Sequence, residues 1–290
     1  MKHIVFIINP KSGVERRKEI QQGIDEHLDK EHYTYEIKNT AYARHGTELA
    51  KEAAGNGAYA VVAVGGDGSV NDVVNGLLGT KTILAIIPKG SGNGMARTMR
   101  IPIDTNEAIK VINKGNITAM DVGFANGRLF ISNAGVAFDA LIAKKFAKSE
   151  KRGFFIYSWL VTKYMWLYKN WNWNITVDGQ GIKERAFMVN VANGQQFGYN
   201  FKIAPMASYT DGLLDLIIIR KFPKILGGTL VFRAMNGSIT GSPYVRHLTG
   251  KEITVSNPSL KLMQTDGDAH ECGNSISFRI EKGAQQVIVP

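Results

Sequence analysis

The stretch AVVAVGGDGSVNDVVNGLL, residues 60–78, joins an apolar run to a helical pattern through a glycine-rich junction. The run AVVAV has the continuous apolar character of a strand that is buried on both faces. It ends in Gly-Gly-Asp-Gly (residues 65–68), and the apolar spacing of a helix resumes at once with Val70. A strand that meets a helix through three glycines predicts either a tight turn or a loop whose backbone closes on a ligand.

The same alternation continues through the first third of the chain. We predict strands at 3–9, 33–38, 59–64 and 82–87, and helices at 16–28, 46–54, 70–78 and 93–99. This order is typical of a mostly parallel sheet with right-handed crossovers, and such sheets bind ligands beyond the carboxyl ends of their strands. Three strands are followed by glycine-rich loops: NPKSG (9–13), GGDGS (65–69) and PKGSGNG (88–94). One such loop is explained as an ordinary turn, whereas three at one edge predict a phosphate site.

Composition limits the class of protein. The 290 residues are 44% hydrophobic and 21% charged, as in a globular protein of one large or two ordinary domains. The single cysteine, Cys272, excludes an internal disulfide framework, and there is no Cys/His cluster with zinc spacing. The first apolar run is too short for a secretory signal, so we expect a reducing cytoplasm. The formal net charge of +10 favours anionic partners such as nucleotides, phospholipid surfaces or nucleic acid.

The pattern changes after about residue 121. We predict an α/β domain over 1–121, to which the last residues 283–290 return, and a β-rich, antiparallel, sandwich-like domain over 122–282. The Asx-Gly pairs in ANGR, VDGQ, TDGL and TDGD are typical of hairpin turns. Clear strands are predicted at 185–192, 214–220, 252–256 and 275–281, with helical inserts at 138–170 and 223–235.

The glycine loops match neither the Walker P-loop nor the GxGxxG dinucleotide fingerprint. Instead, NPKSG (9–13), GGDGSVND (65–72) and GSGNGMAR (90–97) resemble the signature blocks of the diacylglycerol kinase catalytic-domain superfamily. MDVG (120–123), NAGVAFDA (133–140), TDGLLDL (210–216) and TDGD (265–268) resemble it too, in the same order along nearly the whole chain. GGDG alone is shared with NAD kinases and phosphofructokinases, and the ordered set is what makes the resemblance specific.

This resemblance implies ATP-dependent phosphorylation of a lipid hydroxyl. Residues that match the family's ATP site are Asn9, Pro10, Lys11, Ser12, Gly13, Thr40, Gly65, Gly66, Asp67, Gly68, Ser69, Val70, Asn71, Ser91, Gly92 and Asn93. A Mg²⁺ position is implied at Ser208, Asp211 and the carbonyl of Leu213, which offer the oxygen ligands that this cation prefers. Without the resemblance, Asp211 is also explained as an Asx turn before a strand.

The resemblance places the catalytic base at the last residue of a D-G-E motif, which here is Asp268. The shorter side chain departs from the family pattern, and Asp266 is the second candidate because residues two apart in an extended segment face the same side. A plain hairpin turn also explains this Asp-Gly pair. Asp67 is expected to orient metal-bound water or the γ-phosphate. Gly94 stands where the family usually has Asp, which removes a carboxylate near the phosphates.

The insert KKFAKSEKRGFFIYSWLVTKYMWLYKNWNW (144–173) combines basic and aromatic residues. Lys163 in its middle argues against a membrane span. One hypothesis is a helix that packs against the β-rich domain. The other is peripheral docking on an anionic membrane at the inner face, led by a basic cluster of Lys144, Lys145, Lys148, Lys151 and Arg152.

The resulting prediction is a two-domain lipid kinase that uses ATP and Mg²⁺, with diacylglycerol or a sphingoid or ceramide-type lipid as acceptor. One alternative is an NAD kinase-like enzyme with a soluble acceptor. Another is a catalytically weak lipid- or nucleotide-binding relative, which the departures at Gly94 and Asp268 keep open. Nucleic-acid binding has only the net charge in its favour, so we expect no nucleic-acid partner. The sequence makes no prediction of oligomeric state.

Overall fold

The computed structural model describes residues 1–10, 14–149 and 153–290, which divide into two compact units. Unit 1 comprises Met1–Met120 and Gly283–Pro290, and unit 2 comprises Asp121–Lys282. Several predicted residues lie outside the described residues, namely Lys11, Ser12 and Gly13 of the first glycine loop and Lys151 and Arg152 of the basic cluster.

Unit 1 is built from alternating strands and helices. Its strands are β1 (Lys2–Ile8), β2 (Tyr33–Asn39), β3 (Ala60–Gly65) and β4 (Ile83–Pro88). Its helices are α1 (Val14–His27), α2 (His45–Gly55), α3 (Asp67–Leu77), α4 (Gly94–Thr98) and α5 (Thr105–Lys114). The strands pair in parallel in the order β4-β3-β1-β2, and every residue of β3 and β4 is buried. Continuous burial is expected for a parallel sheet that helices cover on both faces.

This strand order determines where a ligand can bind in unit 1. The chain proceeds from β1 to β2 on one side and from β3 to β4 on the other, so the order reverses between β1 and β3. Open α/β sheets bind ligands at such a reversal, beyond the carboxyl ends of the strands. The loops that follow β1 and β3 are the first two glycine loops. They begin side by side, because the N–H of Asn9 donates to the carbonyl of Val64 at 3.4 Å.

Unit 2 contains most of the remaining strands. They are β5 (Ile117–Ala125), β6 (Arg128–Phe130), β7 (Asn133–Ala137), β8 (Trp171–Val177), β9 (Gln180–Ala192), β10 (Leu214–Arg220), β11 (Val245–Gly250), β12 (Glu252–Ser256), β13 (Leu262–Thr265), β14 (Asp268–Glu271) and β15 (Ser275–Ile288). β5 starts and β15 ends in residues of unit 1. The order is β14-β13-β7-β9-β8-β12-β15, with β10 between β9 and β11, and these pairs are antiparallel.

In the described part of unit 2, three helices accompany the strands: α6 (Phe138–Ala147), α7 (Phe154–Leu167) and α8 (Gly227–Met235). The first helical insert therefore consists of two helices, and the second starts with a 3₁₀ turn at Lys224–Leu226. One apolar core lies among the strands and includes Trp173 and Phe278. A second core includes Leu160 of α7 and Leu230 of α8, so these helices cover apolar residues of the strands.

Turn chemistry explains the hairpins of unit 2. The Asx-Gly pairs at 126–127, 178–179 and 266–267 all have positive φ angles and join consecutive strands, as two-residue hairpin turns require. The prediction was wrong for the pair at 211–212, which precedes β10 and joins no hairpin. The predicted fold class is confirmed, with a parallel α/β part followed by a β-rich antiparallel part that carries helical inserts.

Candidate active site

The second and third glycine loops of unit 1 pack backbone against backbone. A Cβ on Gly66 would lie 3.0 Å from Gly90 Cα, and a Cβ on Gly90 would overlap Gly66 Cα. A Cβ on Gly65 would strike the hydroxyl of Ser69. At Gly68, by contrast, no atom of the described residues lies within 4 Å of an added Cβ. The fold itself therefore requires two glycines of the GGDG junction, and Gly68 is the one whose backbone is open to a ligand.

Asp67 is the first residue of α3, and its carboxylate faces the third glycine loop. Oδ2 accepts the N–H of Gly94 and Oδ1 accepts the N–H of Met95, both at 2.9 Å. Burial raises the pKa of this carboxyl group, and the two backbone hydrogen bonds oppose the rise. Asp67 thus ties the GGDG junction to the start of α4. Its expected action on metal-bound water or phosphate stays a prediction.

The other predicted ATP residues of unit 1 occupy two kinds of position. Asn9 and Thr40 directly follow the paired strands β1 and β2, and the N–H of Thr40 donates to the carbonyl of Ile8 at 3.0 Å. Asn93 is buried and builds its own loop, because its Oδ1 accepts the N–H of Gly90 and its Nδ2 donates to the carbonyl of Gly90. Ser91 of the same loop is exposed. These predicted residues therefore lie at strand ends or in the third glycine loop, and their contact with a nucleotide stays a prediction.

Arg44 belongs to this part of unit 1 and was missed from the sequence. It precedes α2 with a positive φ of 68°, and its Nη1 donates to Asn71 Oδ1 at 3.1 Å and to Asp72 Oδ1 at 3.0 Å. Half of its side chain is exposed. The only available signal was a basic residue just before a predicted helix. Arg44 places a permanent positive charge beside the first turns of α3.

The prediction that Asp266 and Asp268 face one side of an extended segment was wrong. Thr265 pairs directly with Asp268 across a two-residue turn, and Asp266 has a φ of 48° within that turn. The carboxylate of Asp266 accepts three backbone N–H bonds at 2.9, 2.8 and 3.1 Å from Ile131, Ser132 and Asn133. Asp268 is exposed at the start of β14. Asp266 therefore holds the turn, and Asp268 is the better candidate for proton transfer.

A buried polar cluster in unit 2 includes three more residues that the sequence analysis missed. Asp139 in the first turn of α6 is 7% exposed. Its Oδ2 accepts hydrogen bonds from Asn190 Nδ2 and Gln264 Nε2, both at 2.8 Å. The available signal was a polar residue inside an apolar run, as in AFMVNVA around Asn190. Burial raises the pKa of Asp139 to about 6, and the two amide hydrogen bonds oppose the rise.

This raised pKa predicts a pH-dependent stability difference between the wild-type protein and the Asp139→Asn variant. Folded Asp139 holds its proton up to about pH 6, whereas the ordinary pKa of an aspartate is 3.8, so the contribution of Asp139 to stability falls as the pH rises through this window. Asn has no such proton. The variant should gain up to about 3 kcal/mol in unfolding free energy relative to wild type between pH 4 and pH 7. Urea unfolding at both pH values measures the difference, and a constant difference would contradict the prediction.

The loop at residues 208–213 is the implied Mg²⁺ position. Asp211 is exposed, and its Oδ1 accepts the N–H of Leu213 at 3.0 Å, which is the Asx turn left open from the sequence. The fully buried carboxylate of Asp121, another residue missed from the sequence, accepts the N–H of Gly212 at 2.6 Å. Within the described chain, no cluster of three or more His, Cys, Asp or Glu could hold a metal ion. Any cation here would rely on hydroxyl, carbonyl and water oxygens besides Asp211.

Unit 1 also has a groove of about 520 Å³, and none of the predicted ATP residues that the structure describes lines it. It lies along α1 beside the ends of β1 and β2. Its lining residues are Ile8, Lys18, Gln21, Gln22, Asp25, Glu26, Ile37 and Asn39.

Comparisons with known proteins cover both units. The family model described as "Diacylglycerol kinase catalytic domain" matches residues 3–125. The model described as "YegS C-terminal NAD kinase beta sandwich-like domain" matches residues 132–289. The "Probable lipid kinase YegS-like" of Chromohalobacter salexigens is 30% identical over 76% of this chain and 72% of its own length. The diacylglycerol kinase of Staphylococcus saprophyticus is 27% identical over 91% of this chain and 88% of its own.

Solved structures show the same fold. A diacylglycerol kinase from Bacillus anthracis str. Sterne superposes with a TM-score of 0.75 at 23% identity, covering 100% of this chain and 97% of that one. An NAD kinase from Archaeoglobus fulgidus in complex with ATP has a TM-score of 0.55 at 14% identity, with coverage of 99% and 93%. The chain therefore belongs to the diacylglycerol kinase catalytic-domain family and, with it, to the phosphotransferases that take an alcohol group as acceptor.

Proposed function

We propose that this enzyme transfers the γ-phosphoryl group of ATP to the hydroxyl of a membrane lipid, either diacylglycerol or a sphingoid or ceramide-type acceptor. The observation that carries the proposal is the pair of interlocked glycine loops at the carboxyl edge of the parallel sheet. Gly68 lies open in the first turn of an eleven-residue helix, where N–H groups can bind phosphate oxygens. Membership of the family supports the lipid acceptor.

Nucleotide binding is assigned to unit 1. The phosphates would bind the backbone of 65–68 and the start of α3, with Ser69 and Ser91 as hydroxyl donors. Asn9 and Thr40 at the ends of β1 and β2 would contact the rest of the nucleotide. Arg44 beside α3 would offset part of the phosphate charge, which a planar guanidinium does well. Gly94, in place of the family's Asp, contributes a backbone N–H that Asp67 uses.

Proton acceptance is assigned to Asp268 of unit 2. Phosphoryl transfer depends on positioning, charge stabilisation and a base that receives the proton of the attacking hydroxyl. Asp268 lies exposed next to a rigid turn, where it can take that proton from a bound lipid. Asp266 instead stabilises the turn, because three backbone N–H groups already donate hydrogen bonds to its carboxylate.

The loop at 208–213 fits Mg²⁺ by the chemistry of its donors. Ser208, Asp211 and the carbonyl of Leu213 are all oxygen ligands, and Asp121 fixes the backbone between them through Gly212. Mg²⁺ bound there would supply positive charge to offset the charge of the phosphates. The Asx turn at Asp211 and the hydrogen bond from Gly212 N–H to Asp121 hold the backbone of the loop.

Labelled ATP tests the proposed function. The protein is incubated with γ-³²P-ATP and Mg²⁺, and in separate reactions with vesicles that contain diacylglycerol, ceramide or sphingosine, or with NAD. Label in a chloroform-soluble product supports the proposal and identifies the acceptor. Label on NAD would favour an NAD kinase-like enzyme, the second candidate function, which the fold shared with an NAD kinase supports. ATP binding without any labelled product would favour a catalytically weak relative.

We also propose that unit 2 docks on an anionic phospholipid surface through α7. One face of α7 packs into the second core through Leu160 and its neighbours, as the first hypothesis for the insert expects. Another face of the helix is also apolar, with Phe155 86% exposed beside the exposed Trp159 and Trp166, and Leu167 at the end of the helix is 71% exposed. Lys163 lies 4.7 Å from the ring of Trp159 on this face. Tryptophan and lysine together are typical of surfaces that lie in a membrane interface.

Two further observations support a membrane as the occupant of this face. Ile225 in the 3₁₀ turn before α8 and Phe232 within α8 are exposed, and α8 adjoins α7 where Met165 lies against Gly227. Lys144 and Lys148 at the end of α6 are exposed and add positive charge, as expected for an anionic surface. No helix in the described ranges is long and apolar enough to cross a membrane.

The double variant Trp159→Ser, Trp166→Ser should bind vesicles of phosphatidylglycerol and phosphatidylcholine at least about tenfold more weakly than wild type. The reason is that the loss of each indole removes about 1.5 kcal/mol or more of favourable apolar burial in the membrane interface. Vesicle sedimentation measures the affinity. The matched control is Ile103→Ser in unit 1, which removes an exposed apolar side chain elsewhere and should leave binding unchanged. Equal binding by the double variant and wild type would exclude this face.

A further inference from the structure

A chain of buried hydrogen bonds leads from α6 to the turn that carries Asp268. Asp139 Oδ2 accepts the Nε2–H of Gln264, and Gln264 Oε1 accepts the backbone N–H of Gly267 at 2.8 Å. Gly267 immediately precedes Asp268. Gln264 and Asp266 therefore both hold the turn, and Asp268 at its end is exposed.

Gln264 can support the turn only with its amide in one orientation. Its Nε2 faces two acceptors, Asp139 Oδ2 at 2.8 Å and Asn133 Oδ1 at 2.7 Å, while its Oε1 faces the N–H of Gly267. A reversed amide would oppose two acceptors with an acceptor and the N–H with a donor. The two oxygen acceptors therefore select the orientation that the turn requires.

The surroundings of Asp139 show that the protein accommodates a buried carboxylate at a cost. A Cβ on Gly135 of the neighbouring β7 would overlap Asp139 Oδ2. Among the described residues, the polar groups that face it are Asn190 from β9, Gln264 from β13 and Tyr157 from α7, whose own pKa is raised by burial and by the charge of Asp139. None of these facing groups is a cation, so the carboxylate gains no ion pair from them. A buried charge without an ion pair lowers the stability of the fold. The carboxylate of Asp139 therefore has a role other than stability.

We propose that Asp139 is a positioning residue that acts through Gln264 to hold the 265–268 turn, and with it Asp268, in the geometry of proton transfer. The inference rests on the proposed role of Asp268 for its effect on activity. The hydrogen-bond chain itself is independent of that role. Loss of the Asp139 acceptor leaves the Gln264 amide with Asn133 Oδ1 alone, so the amide is held less firmly, its hydrogen bond from the Gly267 N–H weakens, and the carboxylate of Asp268 moves.

The first test compares Asp139→Leu with Asp139→Asn. Leu removes the acceptor, so kcat should fall by about 10–100-fold, as expected for a displacement near 1 Å, while KM for ATP stays within about twofold. Asn can keep a carbonyl oxygen at the position of Oδ2 and should retain kcat within about threefold. In the background of Asp268→Asn, Asp139→Leu should lower kcat no further. An Asn variant as impaired as Leu, or an additive double variant, would overturn the proposal.

The second test does not depend on catalysis. Hydrogen exchange of the peptide that covers 262–271 should be faster in Asp139→Leu and in Gln264→Leu than in wild type and in Asp139→Asn. Gln264→Leu also serves if Asp139→Leu does not fold. The matched control is Glu184→Gln, which breaks the ion pairs to Arg220 and Arg246 in the same unit and should leave this peptide unchanged. Unchanged exchange in both Leu variants overturns the proposal. If exchange responds but Asp268→Asn stays active, the positioning chain stands and the assigned base is wrong.

Discussion

Replacing Asp268 by Asn should lower kcat for lipid phosphorylation by about 10²–10⁴-fold, the usual contribution of a general base. The amide has nearly the same size and cannot take the proton of the lipid hydroxyl. Because Asp268 is exposed and lies outside the turn contacts made by Asp266, the unfolding free energy should change by less than about 0.5 kcal/mol. KM for ATP should stay near its wild-type value, since nucleotide binding is assigned to unit 1. Steady-state kinetics with labelled ATP and calorimetry of the same samples measure both quantities.

Two variants of the same hairpin serve as controls. Glu271→Gln removes another exposed carboxylate at the far end of β14 and should leave kcat unchanged. Asp266→Asn should instead destabilise the protein by about 1–3 kcal/mol, because three backbone N–H groups lose a charged acceptor. A wild-type kcat in Asp268→Asn would reject the assigned base. Asp268→Glu restores the longer side chain of the family pattern; higher activity would show that reach limits the wild-type enzyme, and equal activity would show that it does not.

The fold class could be predicted because its signals are local. Apolar runs alternating with helical patterns predicted the parallel part, and Asx-Gly pairs predicted three hairpin turns at 126–127, 178–179 and 266–267. These signals work because a positive φ angle and a buried strand each restrict the residues allowed within a few positions. The hairpin prediction was wrong for the pair at 211–212, because an Asx turn before a strand uses the same residue types as a hairpin turn.

The directions of the site carboxylates could not be predicted, because they depend on contacts between distant segments. Asp67 faces the N–H groups of Gly94 and Met95, which are 27 and 28 residues away. Asp266 accepts N–H groups 133–135 residues away, and Asp139 and Gln264 are separated by 125 residues. A motif identifies which residues are polar. For Gln264 and Asp266, the segments that their side chains meet depend on the register of β13 against β7. The exposed apolar face of α7 was unpredictable too, because a helix that is apolar on every side does not reveal which face is covered.

Adding one methyl group at Gly90 should have a large effect on unit 1. In Gly90→Ala the new Cβ overlaps Gly66 Cα and approaches Asn93 Oδ1 to 2.8 Å, so the two glycine loops must separate. Backbone atoms cannot move aside as a flexible side chain can, and overpacking of this kind costs about 1–3 kcal/mol or more. The unfolding free energy should fall by that amount, and ATP binding should be lost with the geometry of the loops. Urea unfolding and calorimetric titration with ATP measure the two effects.

Gly68→Ala separates the phosphate site from the fold, because its two effects should have opposite signs. An Ala in the first turn of α3 meets no atom of the described residues and has the higher helix propensity, so stability should stay constant or rise by up to about 1 kcal/mol. The same methyl group would block the approach of a phosphate to the backbone and weaken ATP binding by at least about tenfold, or 1.4 kcal/mol. Gly55→Ala, an equally open glycine at the end of α2, should bind ATP like wild type. A Gly68→Ala variant with undiminished ATP affinity would mean that no phosphate approaches the backbone at Gly68, and the phosphates would have to bind elsewhere.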